Sequence, residues 1–308
     1  MYKSRRHALG QHFLTNPGVL RRIVGAIDPR PEDVIVEVGA GKGVLTAALA
    51  DRAGRVVAVE KDERLIPGLR AAMPANVEVV HGDILRVDFR EILRKSGAPA
   101  VRLVGNIPYS ISSPLLFRVL DERAAVSDSV FLLQKEVAER VTAKPGTKSY
   151  APLGILLQNE FEARIAFTVS PGSFSPPPRV QSALLTLRRR PIPLHSGVAE
   201  EPYRAFIRAA FAERRKMLWK NLARRATPAA LKAAFGSQLV FHGHLDNKQA
   251  LRGTGDETRA EVRRLFDGMG PGGGYIMAPT NHVQVDVPPQ NLLEAYRYAH
   301  EYGRYSPA

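Results

Sequence analysis

The tetrapeptide Asn106-Ile107-Pro108-Tyr109 combines side chains suited to an amino group carried on a flat ring. An Asn side-chain oxygen and a carbonyl at or before a proline can both accept hydrogen bonds from an exocyclic amino group such as adenine N6. That pairing orients the group and leaves its lone pair available for attack. Tyr109 offers a flat face against which a base turned out of its stack can rest. A plainer reading of the same residues is an Asx turn that caps a helix at Ser112-Ser113-Pro114.

Three other sites have related chemistry. Glu37-Val38-Gly39-Ala40-Gly41-Lys42-Gly43 has G-x-G-x-G spacing, whose glycines permit a sharp turn and close backbone approach to a ligand. Position 44 is Val, so the G-x-G-x-x-G dinucleotide fingerprint is not met. Glu60 lies 19 residues beyond Gly41, where a carboxyl can accept both ribose hydroxyls of an adenosine, and Asp83 follows as a candidate contact to the adenine amino group. Singly, a glycine turn is ordinary structure and an acid after a strand is a helix cap. Together the set fits S-adenosylmethionine better than NAD, because no second nucleotide-binding half follows. A sulfonium is already an activated electrophile, so the reaction needs positioning rather than a metal or a strong base.

These residues act together only if the chain brings them to one edge. Short apolar segments, VIVEVG (34–39), RVVAVE (55–60), VEVVHGD (77–83), VRLVGN (101–106) and SVFLLQ (129–134), alternate with helical patterns such as VLTAALADRA and PLLFRVLDERA. That alternation predicts βαβ crossovers and a mostly parallel, doubly covered sheet, with the candidate residues at strand carboxyl ends. ARIAFTVS (163–170) and SALLTLRRR (182–190) have no helix between them and are expected to pair antiparallel at one edge. After Pro193 the pattern turns helical, clearest over 203–226.

Composition narrows the partner. The 308 residues are 44% hydrophobic and include no cysteine, which excludes disulfide frameworks, thiolate metal sites and a cysteine nucleophile. No apolar run approaches a membrane span, so a soluble cytoplasmic protein is expected, with no membrane partner. Forty-four Lys and Arg against 30 Asp and Glu give +14, which suits a polyanion. Candidate phosphate contacts are Lys3, Arg5, Arg6, His7, Arg21, Arg22, the run Arg188-Arg189-Arg190 and the cluster Arg214, Arg215, Lys216, Lys220, Arg224, Arg225. Trp219 in that cluster reads as packing.

Residues 8 to about 236 resemble the ribosomal RNA adenine N6,N6-dimethyltransferases of the KsgA type. The likeness is carried in order by GQHFL (10–14), VEVGAGKGVLT (36–46), GDIL (82–85), GNIPYSISSPLLF (105–117), LQKEVAERV (133–141), FSPPPRVQSALLTL (174–187) and FAERRKMLWKNL (211–222). The resemblance implies a Rossmann-like class I S-adenosylmethionine-dependent methyltransferase fold with a small helical C-terminal subdomain. It also implies dimethylation of two adjacent adenosines near the 3′ end of small-subunit rRNA, with the assembling small subunit as partner and a monomeric enzyme. Cofactor contacts carried over are His12, Leu14, Gly39, Gly41, Glu60, Asp83 and Asn106. Asn106, Pro108 and Tyr109 would serve the target base, with Phe174 as a second ring beside it. His12 stands where the family usually has Asn. A related enzyme acting on large-subunit rRNA shares the N-I-P-Y-S-I-S beginning, but Ser113 to Phe117 and Phe174 to Val180 favour the small-subunit type. A DNA adenine methyltransferase usually begins the tetrapeptide with Asp. A non-catalytic ribosome-assembly factor on the same fold is the remaining alternative.

From Gln238 onward seven basic residues meet eight acidic ones, so the preceding 237 residues carry the positive excess. Residues 239–304 resemble the closing strand–helix units of the uroporphyrinogen decarboxylase superfamily, through PGGGYIMAPT (271–280) and DVPPQNLLEAY (286–296). Three parts are therefore expected: 1–192 for the cofactor, 193–237 as a shortened helical RNA-binding subdomain, and 238–308 as an appended tail. The tail is expected to be ordered only by docking, with its His242, His244, His282 and His300 structural or on the surface and no metal site. Truncation after Gly236 should leave S-adenosylmethionine affinity nearly unchanged by equilibrium binding, because the expected cofactor contacts lie far upstream of the cut. Loss of binding would make the tail an integral part.

Overall fold

A computed structural model describes residues 12–197, 199–213, 230, 232–233, 236, 240–279 and 282–303. The chain divides into two compact units, Met1–Arg208 and Ala209–Ala308.

The first unit is built on a seven-stranded sheet. Its strands are β2 (Val34–Val38), β3 (Arg55–Glu60), β4 (Val77–His81), β5 (Val101–Asn106), β6 (Val126–Gln134), β7 (Phe161–Val169) and β9 (Ser182–Arg189), ordered β4-β3-β2-β5-β6-β9-β7. β4, β3, β2, β5 and β6 pair in parallel; β9 runs antiparallel to both β6 and β7. Every residue of β2 is buried. Successive strand side chains point to opposite faces, so a strand buried throughout is covered on both. One cover is α1 (Pro17–Ile27) with α2 (Val44–Ala50), whose Ile23, Ile27, Leu45 and Leu49 pack with Ile35, Val56, Val104 and Leu132. α1 starts where Asn16 accepts the amides of Gly18 and Val19 at 2.9 and 3.1 Å.

The sheet order reverses between β2 and β5, and that is where open α/β sheets leave a crevice at the strand ends. The two strands approach closely there. A Cβ on Gly105 would lie 2.5 Å from the Val38 carbonyl oxygen, so glycine alone lets β5 lie against β2 and carry Asn106 to the crevice. Toward the other end of β5, Arg102 binds Asp128 through Nε and Nη2 at 2.9 and 2.8 Å and Asp33 through Nη1 at 2.6 Å. It also donates to the carbonyls of Ile27 and Asp28, tying the end of α1 to the sheet. A two-residue ribbon, β1 (Phe13–Leu14) with β8 (Phe174–Ser175), pairs Phe13 with Ser175 and Leu14 with Phe174.

The expected parallel strands and antiparallel edge are present. α3 (Ile66–Ala72), α4 (Phe89–Ser96) and α5 (Ser112–Asp121) follow β3, β4 and β5, and two helices not anticipated, α6 (Lys135–Val141) and α7 (Pro152–Glu160), lie between β6 and β7. The units part after Arg208, later than the expected 192/193 boundary. The reason is α8 (Glu200–Ala210): its buried Arg204 reaches Asp121 at 2.6 Å, and Glu200 pairs with Arg123, which ties the helix to the first unit. Most of the 211–226 stretch, with Trp219 and the cluster from Arg214 to Arg225, lies outside the described residues, as does the arm of Lys3, Arg5, Arg6 and His7.

In the second unit, parallel strands β10 (Phe241–Leu245) and β11 (Tyr275–Pro279) are joined through α9 (Gly255–Met269) and followed by α10 (Pro289–Tyr302). Leu245, Leu251, Val262, Leu265, Met269, Tyr275 and Ala295 form a buried cluster within this unit. The tail therefore has a core of its own, contrary to the expectation that docking alone would order it.

Gly105→Ala should cost about 1–3 kcal/mol in chemical denaturation, because β5 must move off β2 to admit the methyl group. Unchanged stability would show that the strands are not held this closely.

Candidate active site

The ends of β2, β3, β4 and β5 meet around a cavity of about 290 Å³ lined by His12, Phe13, Gly39, Gly41, Glu60, Lys61, Asp83, Asn106 and residues 107–111, among others. A second cavity, of about 340 Å³, adjoins it and is lined by Leu14, Glu37, Lys42, Gly105 and Leu132. Phe13, Gly39, Gly41 and Asn106 line both. Gly41 has φ +59°, and a Cβ there would lie 3.1 Å from the Phe13 ring, so this turn accepts little but glycine.

Glu60 is buried, and its carboxyl oxygens receive two backbone amides, Gly41 N–H and Asp62 N–H, each at 2.8 Å. That fixes the carboxyl and leaves each oxygen one further lone pair for a donor such as a hydroxyl. Asp83 accepts the Leu85 amide at 3.0 Å and the Lys61 ammonium at 2.8 Å. It is both the cap of the 3-10 turn Ile84–Arg86 and a wall of the cavity, so the two readings left open for it coincide in one residue. The Lys61 bond, then the Leu85 amide, hold its carboxyl below the usual aspartate range.

Asn106 Nδ2 donates to the His12 carbonyl at 2.7 Å, which commits the amide nitrogen and leaves Oδ1 as an acceptor. His12 Nδ1 in turn donates to the Pro176 carbonyl at 2.8 Å. The Pro108 carbonyl takes the Ile111 amide at 3.0 Å, whereas among the described residues no hydrogen bond ends on the Ile107 carbonyl. Of the two carbonyls the sequence offered, that of Ile107 is the freer. Tyr109 O–H and Ser182 Oγ are 2.8 Å apart, and burial raises the phenol above its ordinary value, so it stays neutral. Ser182 opens β9 opposite Gln134, at the same rim as Asn106. The His12 and Tyr109 rings lie 5.5 Å apart.

His12, Gly39, Gly41, Glu60, Asp83, Asn106, Pro108 and Tyr109 thus share the first cavity, and Leu14 lines the second. Phe174 lines neither. It is 4% exposed and packs with Ile23, Val169 and Leu184, because its pairing with Leu14 turns it into the core. Among the expected phosphate contacts, Arg22 lies 3.9 Å over the Phe167 ring, and Arg190 is tied to the Gln158 carbonyl at 3.1 Å.

Residues 2–251 match the family model described as ribosomal RNA adenine dimethylase. The chain belongs to this family. It is 47% identical over 223 residues to ribosomal RNA small subunit methyltransferase A of Geobacter metallireducens, covering 70% of this chain and 80% of the relative. The protein of the same name from Xylella fastidiosa is 43% identical over 232 residues, covering 74% and 87%. Among solved structures, a dimethyladenosine transferase from Plasmodium falciparum aligns with TM-score 0.61 and 25% identity over 94% of this chain and 98% of that one. The 23S rRNA methyltransferase ErmE aligns with TM-score 0.60 and 27% identity over 93% and 98%. Residues 219–302 also match the uroporphyrinogen decarboxylase model, overlapping the end of the first match.

Glu37 carries no signal in the sequence that marks it as part of the site. It sits in the middle of the apolar run VIVEV, is 2% exposed, and lines the second cavity. Burial, reinforced by the nearby Glu60, raises its pKa to about 8 against the lowering effect of the Thr46 hydroxyl close by. Because the native form holds a proton that the unfolded chain releases above 4.5, its stabilising effect is complete below 4.5 and is lost progressively up to about 8. The melting temperature of the free protein should therefore fall across that window more steeply than that of Glu37→Gln. Parallel curves would show that Glu37 carries a charge throughout.

Proposed function

We propose that this chain transfers methyl groups from S-adenosylmethionine to N6 of two adjacent adenosines near the 3′ end of small-subunit rRNA, acting in the cytoplasm as a monomer on the assembling subunit. The reading rests above all on the Asn106 carboxamide, whose orientation is set by the His12 carbonyl at a strand end shared with Glu60 and Asp83. Support for the small rather than the large subunit comes from similarity to small-subunit methyltransferases at 43–47% identity over 70–74% of this chain; the two solved structures, at 25% and 27% identity, do not separate the two substrates.

Bound S-adenosylmethionine supplies a methyl group already activated by a positive sulfur. Glu60, with both oxygens anchored by amides, receives the ribose hydroxyls. Asp83 would face the cofactor's adenine, and the Gly39–Gly41 turn would let the backbone approach it. Toward the target base, Asn106 Oδ1 and the Ile107 carbonyl accept the two N6 hydrogens, which frees the nitrogen lone pair from the ring and directs it at the methyl carbon. Tyr109 supports the base face, and its bond to Ser182 holds the ring in place. As the N–C bond formed, the methyl–sulfur bond would break with its electron pair left on the sulfur, and the N6 proton would leave to water, so no strong base is needed. A monomethylated amino group keeps one hydrogen, and one of the two acceptors suffices for the second transfer. Phe174 would serve as a second ring only if the segment following it shifted out of its core packing.

The test is incubation of the purified protein with labelled S-adenosylmethionine and undermethylated small subunits, followed by nucleoside analysis. Dimethyladenosine is expected with the wild type and at least about a hundredfold less with Asn106→Ala, which keeps RNA binding. Cofactor binding without any dimethyladenosine would favour the non-catalytic assembly factor.

A further inference from the structure

The second cavity has an acidic wall that the methyl-transfer scheme leaves unused. Glu37 Oε2 is fully enclosed and has no hydrogen-bond partner among the described residues. The neighbouring strands place Ala58 and Val104 beside it, neither of them charged or polar. The groups that face it are the Thr46 hydroxyl of α2 and, at the end of β3, the Glu60 carboxyl. Lys42 lines the same cavity, but its ammonium lies 5.4 Å over the Phe13 ring. A carboxyl out of water with no cationic partner and a second carboxyl close by is held in its neutral form.

A cation entering the cavity reverses that balance, since an opposite charge in a low-dielectric site favours the ionised carboxyl by more than the same charge in water would. We propose that Glu37 is the proton-coupled counter-ion of the cofactor: neutral in the free protein, it ionises as the positively charged methionine end of S-adenosylmethionine fills the cavity it lines, and one proton passes to solvent per cofactor bound. The proposal rests on the reading of this cleft as the S-adenosylmethionine site. The bond broken is the Glu37 O–H; the carboxylate keeps the electron pair and buffer takes the proton. By linkage, cofactor affinity then rises with pH below about 8, by up to about tenfold per pH unit while the free form is protonated and the bound form is not. A carboxyl that merely fills space beside Thr46 would exchange no proton on binding.

Titration calorimetry of S-adenosylmethionine into the intact chain near pH 7, in two buffers of different ionisation enthalpy, reads the proton count directly. The expected result is an observed enthalpy that varies with the buffer as one proton released, with that dependence near zero for Glu37→Gln. If the variant fails to fold, the wild-type buffer dependence and its loss above the free-state pKa still decide the matter. Binding by the wild type with no buffer dependence overturns the proposal while leaving the cofactor site intact, and so does a dependence that persists in Glu37→Gln. Absence of S-adenosylmethionine binding overturns the underlying reading and this proposal with it.

Discussion

The close approach of β5 to β2 at Gly105 is the constraint on which the site depends. With 2.5 Å between a notional Cβ and the Val38 oxygen, no other residue lets the two strands meet at the point where the sheet order reverses. Their meeting brings Asn106 beside the Gly39–Gly41 turn, so that a methyl donor held by the turn and an amino group held by the Asn can share one cleft. The N-terminal segment completes the arrangement: pairing with Phe174 and Ser175 lays Phe13 across the glycines and brings the His12 carbonyl to Asn106.

The electrostatics follow from which carboxyls the backbone satisfies. Glu60 receives two amides and Asp83 an amide and an ammonium, whereas Glu37, enclosed in β2 beside the second cavity, keeps an oxygen with no partner among the described residues. Anchored carboxyls with spare lone pairs suit neutral donors such as hydroxyls. An enclosed carboxyl without a donor suits a cation, and waits protonated until one arrives.

Much of this was legible because strand alternation and strand-end residues are local. The runs from 34 to 134 marked the parallel strands, and Gly39, Glu60, Asp83 and Asn106 ended them in register. What stayed hidden depends on pairings far apart in sequence. Asn106 is oriented by a carbonyl 94 residues away, and Tyr109 by a hydroxyl 73 residues away. Phe174 reads as an aromatic beside a proline-rich stretch, and only its register against Leu14 turns it into the core. Glu37 was masked by its flanking valines, since a buried strand and a strand with one functional acid look alike in hydropathy. α7 was missed because PLGILLQNE is nearly all buried and lacks a one-sided stripe.

The central claim is that the crevice between β2 and β5 holds S-adenosylmethionine through an amide-anchored Glu60. Equilibrium binding of S-adenosylmethionine to the intact chain and to Glu60→Ala tests it most directly, since two hydroxyl bonds to one fixed carboxyl are at stake. The expected loss is about 10- to 100-fold in affinity, with the fold intact by circular dichroism. Equal affinity in the two proteins would place the cofactor elsewhere and contradict the account.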